Sequence, residues 1–150
     1  MKKLFFVFLL LSAVFSGCKK DDSSSAVVLD RAQFIGSWTG TATMTSKING
    51  ELFEDTQPVT LKLEAGADAD QILMDKSTKD ELKCNVTGKS FQMKAQTKSA
   101  PMGDGTNVQM TVSGNGTLAA SGVLTISVLM EGNYMGLTIS ENLVQTLHKN

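Results

Sequence analysis

From Gly36 onward, apolar and polar residues alternate one by one, the pattern of a strand with one face against a core. Trp38, Gly40, Ala42 and Met44 share one face, while Thr39, Thr41, Thr43 and Thr45 share the other. A β-branched polar face opposite an apolar one suits a pleated, half-buried surface. The same period of two returns in Val59-Leu61-Leu63, Leu82-Cys84-Val86, Phe91-Met93-Ala95 and Val108-Met110-Val112. Leu124, Ile126, Val128 and Met130 form the longest run, and Met135, Leu137 and Ile139 close the set. Leu118 with Ala120 makes a short run, and Ile72 to Met74 a weaker additional strand.

Turn signals separate these runs: Asn49-Gly50, Gly66 to Asp70, Thr87-Gly88-Lys89, Gly103-Asp104-Gly105, Gly114-Asn115-Gly116, Ser121-Gly122 and Gly132-Asn133. Glycine and asparagine accept the positive φ of tight hairpins. Asp30 stands where it can cap a single helical turn over Arg31 to Phe34. The expectation is an all-β chain of eight or nine short strands joined by short loops, with no helix long enough for a βαβ crossover. Such a meander with one apolar face closes most economically into a single antiparallel up-and-down β-barrel, which leaves no exposed edge. A β-sandwich is the alternative.

The residues before the barrel follow a different logic. Lys2 and Lys3 precede a short apolar run that ends in Phe15-Ser16-Gly17-Cys18, followed by Lys-Lys-Asp-Asp and a serine tract. A basic start, an apolar stretch too short for a permanent span and a small-residue end are the layout of a secretory signal. The expected division is a signal at 1–17, an acylated Cys18 with a flexible tether at 18–28, and one domain at 29–150. Loss of Lys2 and Lys3 takes the formal net charge from −1 to −3. No basic cluster remains beyond Lys19 and Lys20, so nothing could neutralise a run of phosphates, and a nucleic-acid partner is excluded. With Cys18 taken by the anchor, Cys84 has no disulfide partner and the fold must rest on its apolar core.

Two resemblances sharpen this picture. Phe15-Ser16-Gly17-Cys18 resembles the lipobox of bacterial lipoproteins, and the acidic residues after Cys18-Lys19-Lys20 resemble the export signal of Bacteroidetes surface lipoproteins. A helical turn and then Gly36-Ser37-Trp38-Thr39-Gly40 opening a meander is similar to the start of lipocalins and calycins. More closely, it is similar to the calycin-like lipoproteins of Bacteroidetes. The resemblance implies an up-and-down barrel, a lipid anchor in the outer membrane, surface display and an apolar ligand in the cup. The chain departs from true lipocalins in having no Thr-Asp-Tyr motif, no arginine after the last strand to cover Trp38, and no disulfide.

Candidate chemistry is sparse. His148 is the sole histidine and lies in what reads as a frayed C-terminal tail. Cys84 shares an apolar face with Leu82 and Val86 and reads as a core thiol. The acids at Glu51, Glu54 and Asp55 and at Asp68 and Asp70 lack the spacing of a calcium loop or a positioned acid–base pair. The expectation is therefore no enzyme, no metal and no cofactor. Methionine adapts to irregular apolar partners, so Trp38, Met44, Met93, Met110 and Met130 are the candidate lining of a pocket for a small apolar ligand; the alternative is that the methionines pack a small, filled core and the protein acts through its loops as an accessory or inhibitor. The small residues Gly40, Ala42, Ala95 and Ala120 would leave room beside them. The polar stretches Asn49 to Gln57 and Lys98 to Asn107 read as the longest loops, and Phe53 at a loop tip reads either as a contact for an envelope protein partner or as a residue folded back to cap the open barrel end.

Overall fold

A computed structural model describes residues 30–48, 51–76, 81–101 and 106–150. The expected signal, the tether and Cys18 lie outside the described residues, as do the turns expected at Asn49-Gly50 and Gly103 to Gly105. Eight antiparallel strands follow in order: β1 Gly36–Ile48, β2 Glu51–Ala65, β3 Gln71–Met74, β4 Leu82–Thr87, β5 Ser90–Pro101, β6 Asn107–Leu118, β7 Val123–Tyr134 and β8 Leu137–Lys149. Each pairs with its neighbour in sequence, and β8 returns to β1 to close the barrel. The barrel expectation holds, with eight strands rather than nine, and Ile72 to Met74 is the body of β3.

Alternation explains most of this. Along β7, Leu124, Ile126 and Val128 are buried while Thr125 and Leu129 are exposed. A period of two keeps one set of side chains inside wherever the backbone continues straight.

Several expectations about strand ends are corrected. Gly114-Asn115-Gly116 is no turn but the middle of β6, which merges two expected runs. A Cβ on Gly116 would stand 2.2 Å from the Phe91 ring, so this glycine makes room for an aromatic core residue. Gly132-Asn133 likewise lies inside β7, where the Met110 sulfur packs over Gly132. The hairpin turns two residues later, at Met135 (φ 51°) and Gly136 (φ 82°), a pair of positive φ values that matches the twist of the flanking strands. Met135 is thus an exposed tip, not an inward residue.

The stretch from Asn49 to Gln57 is mostly strand, since β2 begins at Glu51 and runs antiparallel to β1 from its first residue. Lys98 to Pro101 belong to β5 and Asn107 to β6. The C-terminal residues from Glu141 form the second half of β8, so His148 is an exposed strand residue opposite Thr39 and Val123, and not a frayed tail.

One end of the barrel is packed solid. The helical turn over 30–32 folds across it, with Phe34 N–H donating to the Arg31 carbonyl. Phe34 is fully buried and meets Phe91 edge to face, ring centroids 5.4 Å apart. Arg31 donates to the Asp68 carbonyl at 2.6 Å, and Gln33 donates to the Gly88 carbonyl at 2.7 Å. These bonds tie the turn to two loops of the same end. Leu63, Ile72, Cys84, Met93, Leu124, Ile126 and Leu147 join the two phenylalanines and Trp38 in the core.

Candidate functional site

Trp38 stands at the packed end, 1% exposed. Its Nε1–H donates to the Phe34 carbonyl at 2.8 Å, which satisfies the one polar atom of the ring. The Lys149 ammonium, from the end of β8, lies 5.7 Å from the ring centroid and donates to the Gln33 carbonyl. The sequence offers no arginine to cover Trp38, and the structure places a lysine there instead. Lys149 was missed because its apposition follows from barrel closure, which brings the end of β8 beside the start of β1.

A bulge in β5 shapes the other half of the interior. Met93 pairs with Gly114 and Gln96 with Val112, so β5 carries one residue more than β6 between these pairs. An extra residue reverses the alternation beyond it. Phe91 and Met93 face inward before the bulge, whereas Gln96, Lys98 and Ala100 share the inner register after it. Ala95 is therefore exposed, contrary to the expectation that it leaves room inside. The Gln96 amide takes over the lost ladder bonds, donating to the Lys83 carbonyl and accepting from Lys83 N–H, both at 3.2 Å.

Beside this segment lies a half-open cavity of about 340 Å³ that runs from the barrel wall toward the interior. Val59, Leu61, Met74, Leu82, Met110 and Met130 supply much of its apolar wall. Its exposed lining residues are Thr60, Asp75 and Ser99. They sit where the short strands β3 and β4 stop while β2 and β5 continue, and among the described residues they mark the mouth. Lys98 lines the same region, its ammonium donating to the Glu81 carbonyl. A wider depression of about 570 Å³ lies over β6, β7 and β8. It includes the outward-facing Thr111, Glu131 and Asn133, so it is a surface groove rather than an enclosure.

Of the polar residues in this lining, Gln145 is the buried one. Gln145 of β8 is 7% exposed and pairs with Ala42 on one side and Ile126 on the other, both buried apolar residues. Among the described residues its Oε1 is the buried side-chain polar atom without a hydrogen-bond partner. Sequence reasoning overlooked Gln145 because the stretch Glu141 to Lys149 does not alternate cleanly: Val144 points outward and Gln145 inward.

The expected pocket residues divide. Met110 and Met130 line the cavity. Trp38 and Met93 are buried in the packed end and do not line it. Met44 keeps the inner register, opposite Asp55 and Leu143, but is only half-buried and outside the lining. Phe53 is in β2 rather than at a loop tip, opposite Ser46 and 53% exposed.

Little chemistry is assembled elsewhere. Burial pushes the Cys84 thiol up to about 12, so the group stays protonated and unreactive. Asp70 accepts from Asn85 and Asp68 from Gln71, which makes both acids loop-shaping residues. Among the described residues, no three of His, Cys, Asp and Glu are placed to hold a metal ion.

The chain matches no protein-family model and no curated protein sequence. Among solved structures it is similar to a "putative outer membrane protein" from Bacteroides fragilis, with a TM-score of 0.44 and 10% identity. The likeness covers 77% of this chain and 51% of that one, so the chain spans about half the length of the protein it resembles.

Proposed function

We propose that the protein is a cell-envelope lipoprotein whose calycin-like barrel holds a small apolar ligand without catalysing a reaction on it. The observation that carries this reading is the cavity of about 340 Å³ with a mainly apolar wall, within the size range of small-molecule sites. Met74, Met110 and Met130 give that wall adaptable surface. The calycin-like assignment draws support from the helical turn over the packed end, from Trp38 at the start of β1, and from the basic Lys149 over its ring.

In this reading Cys18 carries the lipid that anchors the protein to the outer membrane, and the acids after Lys20 favour surface display. The described chain enters the barrel at its packed end, so the tether joins there, and the β1–β2 and β7–β8 hairpin ends lie at the opposite end. Several acyl chains hold such a protein stably, because each buried methylene contributes roughly 0.8 kcal/mol.

Native mass spectrometry of the protein purified gently from its host tests the reading. A small apolar molecule that co-purifies and is lost on denaturation supports it. A bare mass, together with failure to bind an environment-sensitive apolar dye, refutes it.

A second reading has its own observation. Leu52, Phe53 and Leu137 are exposed near the two hairpin ends, and Met135 is 80% exposed at the tip of one. Exposed apolar residues grouped at one end suit contact with an envelope protein partner. Co-purification from the host with Phe53→Ser and Met135→Ser checks this; unchanged partners refute it.

A further inference from the structure

The cavity wall is mainly apolar, with Thr60, Asp75, Lys98 and Ser99 around its mouth, and where the buried Gln145 enters it an acceptor is left without a donor. Folded proteins rarely leave a buried carbonyl oxygen unpaired, because it has given up its bonds to water and gained nothing. Its neighbours in the barrel wall, Ala42 and Ile126, offer no side-chain donor. The partner therefore comes from whatever fills the cavity, water in the empty barrel and a donor on the ligand in the filled one.

We infer that the ligand is an apolar molecule bearing one hydroxyl group, and that this hydroxyl donates to Gln145 Oε1. The inference rests on the proposed ligand-binding reading and specifies its chemistry. A hydrocarbon, ether or ester brings no donor. A carboxylate has no proton to give to an acceptor, and an ammonium must be stripped of its water to reach the amide. A hydroxyl needs little desolvation, and because it both donates and accepts it matches the Gln145 amide in either orientation. At roughly 30 Å³ for each non-hydrogen atom, the volume suits a molecule of about a dozen such atoms.

Calorimetric titration of the purified protein with decanol and with its isomer methyl nonyl ether tests the inference. The two have the same composition and apolar length, but only the alcohol can donate. The wild-type protein is expected to bind the alcohol about tenfold more tightly, as one buried hydrogen bond to an otherwise unpaired acceptor implies. In Gln145→Met, which keeps the side-chain length without the amide, the difference is expected to vanish while the ether still binds. Equal affinities in the wild type overturn the inference and leave the cavity reading standing, as does a preference that survives Gln145→Met. If neither molecule binds, the cavity reading fails and the inference falls with it. The wild-type comparison needs no variant, so it decides the matter even if Gln145→Met folds poorly.

Discussion

Replacing Trp38 by alanine separates two roles that the sequence alone leaves superposed, ligand wall and barrel plug. A tryptophan buries roughly 150–250 Å², and at roughly 25 cal/mol/Å² most of that burial is worth about 4–5 kcal/mol. The ring is 1% exposed and packed in the closed end, so little relaxation can refill the space. Loss of the 2.8 Å bond from Nε1 leaves the Phe34 carbonyl short of a donor and adds about 1 kcal/mol. The expected total is about 5 kcal/mol, a large part of the stability of a domain this size. Trp38→Phe keeps a ring and loses the bond, and should cost about 2 kcal/mol. Urea unfolding followed by far-ultraviolet circular dichroism measures both, and at roughly 2 kcal/mol per molar urea the alanine variant's midpoint falls by about 2.5 M. Trp38 is the sole tryptophan, so its fluorescence serves the wild type alone. Because Trp38 does not line the cavity, whatever fraction stays folded should bind an apolar probe with wild-type affinity. A variant that keeps its stability within 1 kcal/mol but loses probe binding would refute the placement of Trp38 as a plug.

Three further outcomes follow from other residues. Gly116→Ala is expected to destabilise by about 1–3 kcal/mol, since the added carbon would overlap the buried Phe91 ring; combining it with Phe91→Leu should recover much of the loss, and a denaturation cycle on the four proteins checks the coupling. Cys84 should resist thiol reagents at neutral pH until the barrel unfolds. Its folded pKa of about 12 lies above the ordinary value of 9.0, so the unfolded chain releases this proton first, and stability should fall as pH rises from about 9 toward 12. Labelling kinetics and alkaline unfolding curves report these two effects, and fast labelling of the native protein would contradict the burial. Gln145→Met should leave stability unchanged or raise it by about 1 kcal/mol in the absence of ligand, because it removes the orphaned acceptor; thermal melts of the two apo proteins decide.

The alternation from Trp38 through Met130 is a local property, and it alone determined that the chain is all-β with one apolar face. A pleat turns successive side chains to opposite sides whatever the strand's neighbours are. With short turns and no crossover helix, an apolar face of this length has few ways to be covered other than closure on itself. The sequence was equally sufficient to place Cys84 in the core, since it shares its face with Val86.

Which inward residues touch, and where space is left over, was decided only by the tertiary structure. A bulge at Lys94 and Ala95 reversed the inner face of β5, and no local pattern announces the insertion of one unpaired residue. Gly116 and Gly132 look like turn residues in sequence, yet they exist to accommodate Phe91 and Met110 from a neighbouring strand. The alternation ends near Ile139 because Gln145 interrupts the apolar face of β8; closure against β1 carries the strand on to Lys149. That closure set Lys149 over Trp38 and turned Gln145 into the cavity, and both are contacts between residues that the sequence keeps far apart. Methionines that looked equivalent in the chain were divided between a packed end and an open one by their height in the barrel, a coordinate that exists only once the strands are in register.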